Sequence, residues 1–498
     1  MPMQTIVETS FGKLQGYFTG QCLLFAGIPY AAPPTGPHRF RPPAPPAAWA
    51  GVRDATQFGP IQPQTPSRFE RFLGPENQPQ AEDSLRLNVW TPAADAGNRP
   101  VLLYIHGGAW VSGSGSMPLY HGESFAARHD LVAVTLNYRL GEAGSLYLGH
   151  LDPDFAGAGN LTILDAIAAL SWIRDNISAF GGDPDNVTIC GQSAGAHTII
   201  GLLTAPLARG LFHRAISHSL SSLTPLRGIP EAVATAAQFC QHSGLTSIAA
   251  LQAAPVEALL AARGATMRAA SPWRIPWGMV LDGAIIPEQP LVAAATGRLA
   301  PVPLLIGACR DDYRPYPSVL PPAVIPRDEA ALVRHFDSLG FDGTALVQHY
   351  QATLGPLTPV DLFVAAMSDR AFIQPTILFA ERHAQHQPTY LFDFAWASPV
   401  QNGALGAGHT VELPFAFHRL WTPSTPYQLG ASPPSLLADQ MHAAWASFIR
   451  AGVPRAPGLP EWPRYDDQMR ATMVFDTPSH LQTDPARERR RLWADLLK

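Results

Sequence analysis

A serine stands between two glycines in the segment GQSAGA, residues 191–196, and its surroundings permit nucleophilic chemistry. A serine hydroxyl is a weak nucleophile at neutral pH. It therefore needs a base to take its proton, a carboxylate to orient that base and N–H donors for the oxyanion that forms. With 41 glycines in 498 residues, a G-x-S-x-G pattern also arises by chance. The elements on either side of Ser193 therefore decide whether it is a nucleophile.

Unbroken apolar runs bounded by turn residues begin at positions 100, 130, 186, 302 and 389. Such runs are typical of strands covered on both faces. Between the second and third runs, residues 162–182 show helical spacing and end in two glycines. We assign to its apolar stripe Leu164, Ile167, Leu170 and Ile173. Alternating strands and helices predict an α/β protein with a central, mostly parallel, twisted sheet and helices on both faces. Ser193 then lies at a strand-to-helix turn, the context that the pattern requires.

The domain organisation predicted from the sequence is a single domain over residues 1–498. Length alone would favour about three domains, but large α/β enzymes often fold as one unit. The region 221–300 is rich in alanine and helical in pattern. We expect it, together with 313–385, to form cap-like helical insertions over the active site.

Candidate oxyanion donors lie in two places. The N–H of Ala194 follows the serine at the start of a helix, where the dipole favours negative charge. A second loop, YIHGGAWVSGSGS from position 104, is poor in large side chains and follows a predicted strand. We expect its glycines to turn the main chain so that the N–H groups of Gly108 and Ala109 face the substrate.

These motifs are part of a resemblance that runs nearly end to end. The chain resembles the type-B carboxylesterase/lipase family of α/β-hydrolases, in particular its bacterial para-nitrobenzyl-esterase-like members. The segments that carry the resemblance are FAGIPYAAPPTGPHRF at 25–40, EDSLRLNVWTP at 82–92, HGGAW at 106–110, NYRLG at 137–141, NISAFGGDPDNVTICGQSAGA at 176–196, FHRAISHS at 212–219, LIGACRDD at 305–312 and GAGHTVELPFAF at 406–417.

The resemblance implies an α/β-hydrolase fold and a serine carboxylesterase that works through an acyl-enzyme intermediate. It implies that Ser193 is the nucleophile and His409 the general base. The family acid is a glutamate in a pattern close to GTNRDEG, whereas this chain has GACRDDY. Asp312 stands in the place of that glutamate, with Asp311 as its competitor. Glu412, three residues after the histidine, is expected to fill a buried supporting position.

Three departures from the family pattern concern the substrate and the compartment. Gln192 replaces the usual glutamate before the serine and removes a negative charge beside the pocket. The loop 61–81 lacks the tryptophan on which a quaternary ammonium would stack. Both changes favour neutral esters. Ser84 stands where family members often have a cysteine, which is consistent with a reducing compartment.

Other residues receive supporting roles from the same comparison. Arg39 and Glu82 resemble a buried family ion pair, whose loss would leave a stranded charge. Ser219 resembles a serine that braces the catalytic histidine, although it would equally satisfy its own backbone. Trp110 is expected to line the acyl or alcohol side of the pocket, with core filling as the alternative.

Composition restricts the partners and the compartment. The net charge of −5 and the pI near 6.4 provide no basic field for nucleic acid. The first residues do not show the cationic start and apolar stretch of a secretory signal peptide. No uninterrupted apolar stretch reaches the length of about 18 residues that a membrane span needs, so we expect no membrane association. The four cysteines lack metal-site spacing, which predicts neither zinc nor disulfides. We expect a cytoplasmic bacterial enzyme, monomeric or homodimeric, acting on a small-molecule ester without metal or cofactor.

Two alternatives remain at this point. The same site chemistry would serve an amidase, a carbamate hydrolase or an esterase for a bulky natural ester, because the loops that shape the pocket have no readable code. A non-catalytic binding protein on this fold is the other alternative, since fold does not fix function.

Overall fold

The computed structural model describes residues 4–221, 226–271 and 275–496. Within them the chain forms fifteen strands. Their bounds are β1 Gln4–Thr9, β2 Gly12–Phe18, β3 Leu23–Pro29, β4 Val52–Asp54, β5 Arg86–Thr91, β6 Arg99–Ile105, β7 Val132–Leu136, β8 Gly182–Gln192, β9 Arg214–His218, β10 Arg227–Gly228, β11 Val280–Leu281, β12 Leu304–Cys309, β13 Thr389–Phe394, β14 Ala471–Phe475 and β15 His480–Thr483.

Eighteen α-helices accompany these strands in the described ranges. Their bounds are α1 Glu70–Leu73, α2 Glu123–His129, α3 Gly141–Ser145, α4 Leu161–Asn176, α5 Ala194–Thr204, α6 Ile229–Ser243, α7 Ile248–Ala253, α8 Val256–Ala269, α9 Pro290–Ala295, α10 Tyr316–Val319, α11 Glu329–Ser338, α12 Gly343–Leu354, α13 Pro359–Ser368, α14 Gln374–Ala384, α15 Leu413–Ala416, α16 Pro426–Leu429, α17 Ser435–Ala451 and α18 Arg487–Leu496.

One large sheet dominates the described chain, in the order β1-β2-β3-β5-β7-β6-β8-β9-β12-β13-β14-β15, with β4 beside β2. The seven strands from β7 to β14 in this order pair in parallel, and antiparallel strands lie at both edges. The predicted α/β class with a mostly parallel sheet is confirmed. Because parallel strands end at the same edge, the residues after β6, β8, β9 and β12 lie side by side.

The five apolar runs in the sequence correspond to β6, β7, β8, β12 and β13. All six residues of β12 are buried, as are all five of β7, because helices cover both faces of the sheet. The core includes side chains of these strands packed against α4 and α5.

Helix α4 corrects the predicted apolar stripe. Leu170 and Ile173 are buried as predicted, but Leu164 and Ile167 are only half-buried. A repeat of three residues drifts around a helix of 3.6 residues per turn, so the four side chains do not share one face. The buried face includes Ile163 and Ala166 in their place.

Helices occupy both predicted insertions. The connection from β9 to β12 carries α6 to α9, and the connection from β12 to β13 carries α10 to α14. Residues 222–225 and 272–274 of the first insertion lie outside the described ranges. The single-domain organisation and the cap-like role of the insertions stay predictions.

Two continuous helical stretches, Pro153–Phe180 and Pro359–Ala384, are long and apolar enough to cross a membrane by length and composition alone. In each of them, 67% of the most apolar 18-residue segment is buried inside the protein. Packing against other elements therefore accounts for their apolar character. The expected absence of membrane association stays a prediction.

The predicted Arg39–Glu82 pair is present and largely buried. The guanidinium of Arg39 donates to both carboxylate oxygens of Glu82, at 2.8 and 2.7 Å. It also donates to three main-chain carbonyls at residues 251, 252 and 254 of the first insertion. The pair therefore joins the N-terminal part of the chain to that insertion.

Candidate active site

Ser193 occupies the turn between β8 and α5, with φ 58° and ψ −121°. A residue with a side chain pays a steric cost in this conformation, and such strain concentrates at functional sites. A Cβ atom on Gly195 would overlap the carbonyl oxygen of Ile105, and one on Gly191 would overlap the carbonyl of Gly195. Both flanking positions therefore require glycine. The turn lifts the serine to the carboxyl edge of the sheet, as the sequence predicts.

The glycine loop after β6 packs directly against this turn. A Cβ atom on Gly107 would lie 2.8 Å from the carbonyl oxygen of Gln192 and 3.1 Å from Cβ of Ser193. Gly108 and Ala109 follow with positive φ values of 109° and 57°. Successive residues in such conformations turn their N–H groups toward one side and form an anion-binding concavity.

The three predicted oxyanion donors have no acceptor among the described residues. No acceptor in the described part of the chain takes a hydrogen bond from the main-chain N–H of Gly108, Ala109 or Ala194. Unpaired main-chain N–H groups are rare in folded proteins. Three of them beside a strained serine are therefore suited to hold a negative charge.

The carboxylate of Asp312 and the imidazole of His409 form a buried pair. Oδ1 of Asp312 lies 2.5 Å from Nδ1 of His409, and the two residues are 0% and 4% exposed. The other oxygen, Oδ2, accepts hydrogen bonds from the Ser219 hydroxyl at 2.7 Å and from the Cys309 N–H at 3.0 Å. Burial raises the pKa of the Asp312 carboxyl, although His409 and Ser219 oppose this shift. The aspartate thus fixes the proton of the imidazole on Nδ1.

Asp311 points elsewhere. Its Oδ2 accepts a hydrogen bond from the N–H of Ala407, and its own N–H donates to the Ala407 carbonyl. The structure therefore places Asp312, and not Asp311, against the histidine. It also directs the Ser219 hydroxyl to the aspartate, where the sequence left the function of this serine open.

Ser193 and His409 are not hydrogen-bonded to each other within the described residues. The neighbouring Gln192 makes the contact instead: its side-chain Nε2 lies 3.1 Å from Nε2 of His409 and 3.5 Å from Nδ1. Hydrogen bonds between nucleophile and base are often open in the absence of substrate and tighten when it binds. The imidazole therefore lies against Gln192, the residue that precedes the serine in the turn.

Three aromatic rings surround the His409 imidazole, and the sequence analysis identified none of them. Ring centroids lie 4.8 Å away for Phe372, 5.8 Å for Tyr316 and 6.1 Å for Phe69. They come from the loop 61–81 and from the second insertion. No motif or spacing in these segments distinguishes the three rings from other aromatic residues of the chain.

Glu412 belongs to a second buried network behind the aspartate. It accepts a hydrogen bond from the Cys309 thiol at 3.1 Å, and its other oxygen lies 3.4 Å from Nδ1 of His218. Trp445 donates to Nε2 of His218 at 2.9 Å, which leaves the proton of this histidine on Nδ1, facing Glu412. Burial opposes ionisation of Glu412, but His218 and Cys309 outweigh it and lower the pKa of the carboxyl. Glu412 therefore supports the site without contacting the base, as the sequence indicated.

Trp110 lies at the end of the glycine loop and is 8% exposed. Its ring stacks on His197 with centroids 5.2 Å apart, and it packs against the main chain at Gly278. The side chain closes the space behind the loop, between the serine helix and the first insertion.

Comparison with known proteins shows the family of the whole chain. The model of the carboxylesterase family matches residues 3–493. The chain belongs to the carboxylesterase family. It is 36% identical to the para-nitrobenzyl esterase of Bacillus subtilis and 35% identical to the phenmedipham hydrolase of Pseudarthrobacter oxydans, with 98% of both chains covered in each case. The crystal structure of carboxylesterase EST55 from Geobacillus stearothermophilus superposes with a TM-score of 0.89 at 38% identity, covering 98% of this chain and all of the other.

This carboxylesterase therefore has the α/β-hydrolase fold and is a serine-type carboxylic-ester hydrolase. Small esters are the substrates of its family. Among the described residues, no group of three or more His, Cys, Asp or Glu side chains is arranged to hold a metal ion.

Proposed function

We propose that Ser193, His409 and Asp312 are the catalytic triad of a carboxylesterase for neutral esters. The hydroxyl of Ser193 attacks the ester carbonyl while Nε2 of His409 takes its proton. Asp312 holds the ring by its Nδ1–H and stabilises the imidazolium that forms. The N–H groups of Gly108, Ala109 and Ala194 bind the oxyanion of the tetrahedral intermediate.

The second half of the reaction uses the same groups. His409 gives its proton to the leaving alcohol, which departs and leaves an acyl group on Ser193. A water molecule then gives a proton to His409 and attacks the acyl carbonyl, and the acid product leaves as the serine regains its proton. Each transfer uses the same imidazole nitrogen, so the ring must keep its Nδ1 proton throughout.

One observation carries this proposal above the others. A buried carboxylate lies 2.5 Å from an imidazole beside a serine in a strained strand-to-helix turn. Ionisable pairs buried in this way are costly to keep, which makes them candidates for function. A binding protein without catalysis would not need the pair or the three unpaired N–H groups.

The preference for neutral esters follows from the walls of the site. Aromatic rings and the uncharged Gln192 side chain surround the base, and none of these places a carboxylate where a cationic alcohol group would bind. A choline ester would therefore lack the attraction that a carboxylate at position 192 would provide. A matched pair of neutral and quaternary-ammonium esters of equal size should show higher kcat/KM for the neutral member.

The experiment that tests the proposed function is a substrate series on wild type and Ser193→Ala. The series comprises aryl esters of increasing acyl length, amide and carbamate analogues, and phenmedipham. We expect esters to be hydrolysed fastest and Ser193→Ala to lose at least about 10⁴-fold in kcat. Higher kcat/KM for amides or carbamates would change the substrate class and keep the triad. Undiminished hydrolysis by Ser193→Ala would overturn the triad.

We also propose a bacterial enzyme of the cytoplasm, monomeric or homodimeric, that binds neither nucleic acid nor membranes. Support for the compartment comes from Cys22, Cys190, Cys240 and Cys309, which are unpaired thiols in the described chain. Burial raises the pKa of the Cys22 thiol to about 12, so it resists oxidation through its thiolate. Fractionation and light scattering of the native protein would test these assignments.

A further inference from the structure

Gln192 is buried, 3% exposed, and lies between the two working parts of the site. Its amide nitrogen is 3.1 Å from Nε2 and 3.5 Å from Nδ1 of His409. A donor that lies in the ring plane and points at the lone pair of one ring nitrogen is much farther from the other ring nitrogen. The nearly equal distances therefore place the amide N–H over the face of the imidazole, in an N–H to π contact.

The other end of the same carboxamide lies against the glycine loop. A Cβ atom on Gly107 would be 2.9 Å from Oε1 of Gln192. The side chain thus spans from the loop that carries the oxyanion donors to the base. Because position 107 has no side chain, the carboxamide is able to lie there and to reach the ring.

We propose that Gln192 is a positioning residue for the general base: its carboxamide covers the imidazole face, fixes the ring plane and favours the neutral ring. This proposal rests on the proposed triad. The positive end of the amide dipole faces the ring, and a positive end disfavours the protonated imidazolium.

The charges around the ring explain why such a contact is useful. Asp312 lies at Nδ1, and the Glu412 carboxyl and His409 interact electrostatically. Both carboxylates attract positive charge, and an imidazolium cannot act as a base. Tyr316, Phe69 and Phe372 contribute uncharged rings. Gln192 is the side chain facing the ring that opposes the two carboxyls, whereas a carboxylate at this position would join them.

Two substitutions of Gln192 separate the effect of an added charge on His409 from the effect of losing the amide contact with its ring. Gln192→Glu keeps the shape and adds a carboxylate, and Gln192→Met keeps the length and removes the dipole. Gln468→Glu is the matched control, since it adds the same charge on an exposed residue whose side chain contacts Asp467. The measurement is kcat/KM for a neutral aryl ester from about pH 5 to 9, with the midpoint of its acid limb as the readout.

We expect the midpoint to rise by about one pH unit in Gln192→Glu, to rise less in Gln192→Met and to stay in place in Gln468→Glu. We also expect kcat of Gln192→Met to fall severalfold above the midpoint because the ring plane is no longer fixed. Unmoved midpoints in both Gln192 variants, with changes in KM alone, would overturn the proposal and make Gln192 a wall of the pocket. If Gln192→Glu does not fold, the midpoint of Gln192→Met decides by itself.

The same assay distinguishes failure of the Gln192 proposal from failure of the proposed triad on which it rests. Loss of activity in Ser193→Ala together with unmoved midpoints in the Gln192 variants overturns only the assignment of Gln192. Activity retained in Ser193→Ala overturns the proposed function itself, and with it the base on which Gln192 acts.

Discussion

Asp312 and His409 lie 97 residues apart in the chain, yet their side chains meet at 2.5 Å and are both buried. The contact joins the loop after β12 to the loop after β13, two neighbouring parallel strands. It determines which nitrogen of the imidazole carries the proton and which is free to act as a base.

Removing the charge of Asp312 should abolish most activity. In Asp312→Asn the proton is no longer held on Nδ1, so we expect kcat to fall about 10⁴-fold, with KM less affected. Asp311→Asn is the matched control, because that neighbour contacts the main chain of Ala407 rather than the imidazole. Steady-state kinetics of both variants check this, and equal losses in the two would contradict the assignment of the acid.

The same substitution should stabilise the fold at neutral pH. Burial raises the pKa of Asp312 above its ordinary 3.8, so the folded state binds this proton more tightly than the unfolded state. Stability then falls as pH rises from 3.8 through the raised pKa, and Asp312→Asn escapes this loss. We expect a higher Tm than wild type at pH 7 and a smaller difference near pH 4. A lower Tm at pH 7 would show that the carboxylate is a net stabiliser.

Buried histidines should make the protein sensitive to acid. Burial lowers the pKa of His106, His121 and His383 to about 4 and that of His442 to about 3. Between about pH 6.5 and 4 the unfolded chain binds these protons and the folded chain does not, so stability is lost as pH falls through this range. Equilibrium unfolding at pH 7, 6 and 5 should show a steady decrease in the free energy of unfolding. A free energy of unfolding that stays constant from pH 7 to 5 would contradict this prediction.

The glycine loop should not tolerate a side chain at position 107. In Gly107→Ala the new Cβ would press on the Gln192 carbonyl and on Ser193 Cβ, which displaces the loop and its oxyanion donors. We expect kcat to fall about 10²- to 10³-fold, the range seen when such a donor is lost. Gly157→Ala is the control, since its Cβ would meet only Ile285 and Leu164 at ordinary distances of 3.5 and 3.9 Å. Equal activity of Gly107→Ala and Gly157→Ala would argue against a role of the glycine loop in binding the oxyanion.

Local patterns predicted the central strands and the turn at Ser193 because both follow from short-range rules. A fully covered parallel strand is an unbroken apolar run, and the turn needs glycine on both sides. The apolar stripe of α4 was partly wrong, since a spacing of three does not follow one helix face over four positions. The direction of Asp312 also depends on a contact that no local pattern contains, namely the hydrogen bond from Ser219, 93 residues away in the chain.

The walls of the site could not be predicted. Phe69, Tyr316 and Phe372 reach His409 from irregular or insertion segments whose positions depend on long-range packing. The contact of Gln192 with the base was missed for a related reason. The sequence places this residue next to Ser193 but does not specify the rotamer that carries its amide over a ring 217 residues away.

The most direct test of the triad is to locate the residue that an aryl phosphonate ester labels. The account predicts one covalent phosphonyl group per chain on the peptide that contains Ser193, complete loss of ester hydrolysis at that stoichiometry, and labelling slowed by about 10³-fold or more in Asp312→Asn. Labelling of another residue with the same loss of activity, or full inactivation of Ser193→Ala by the phosphonate, would contradict it.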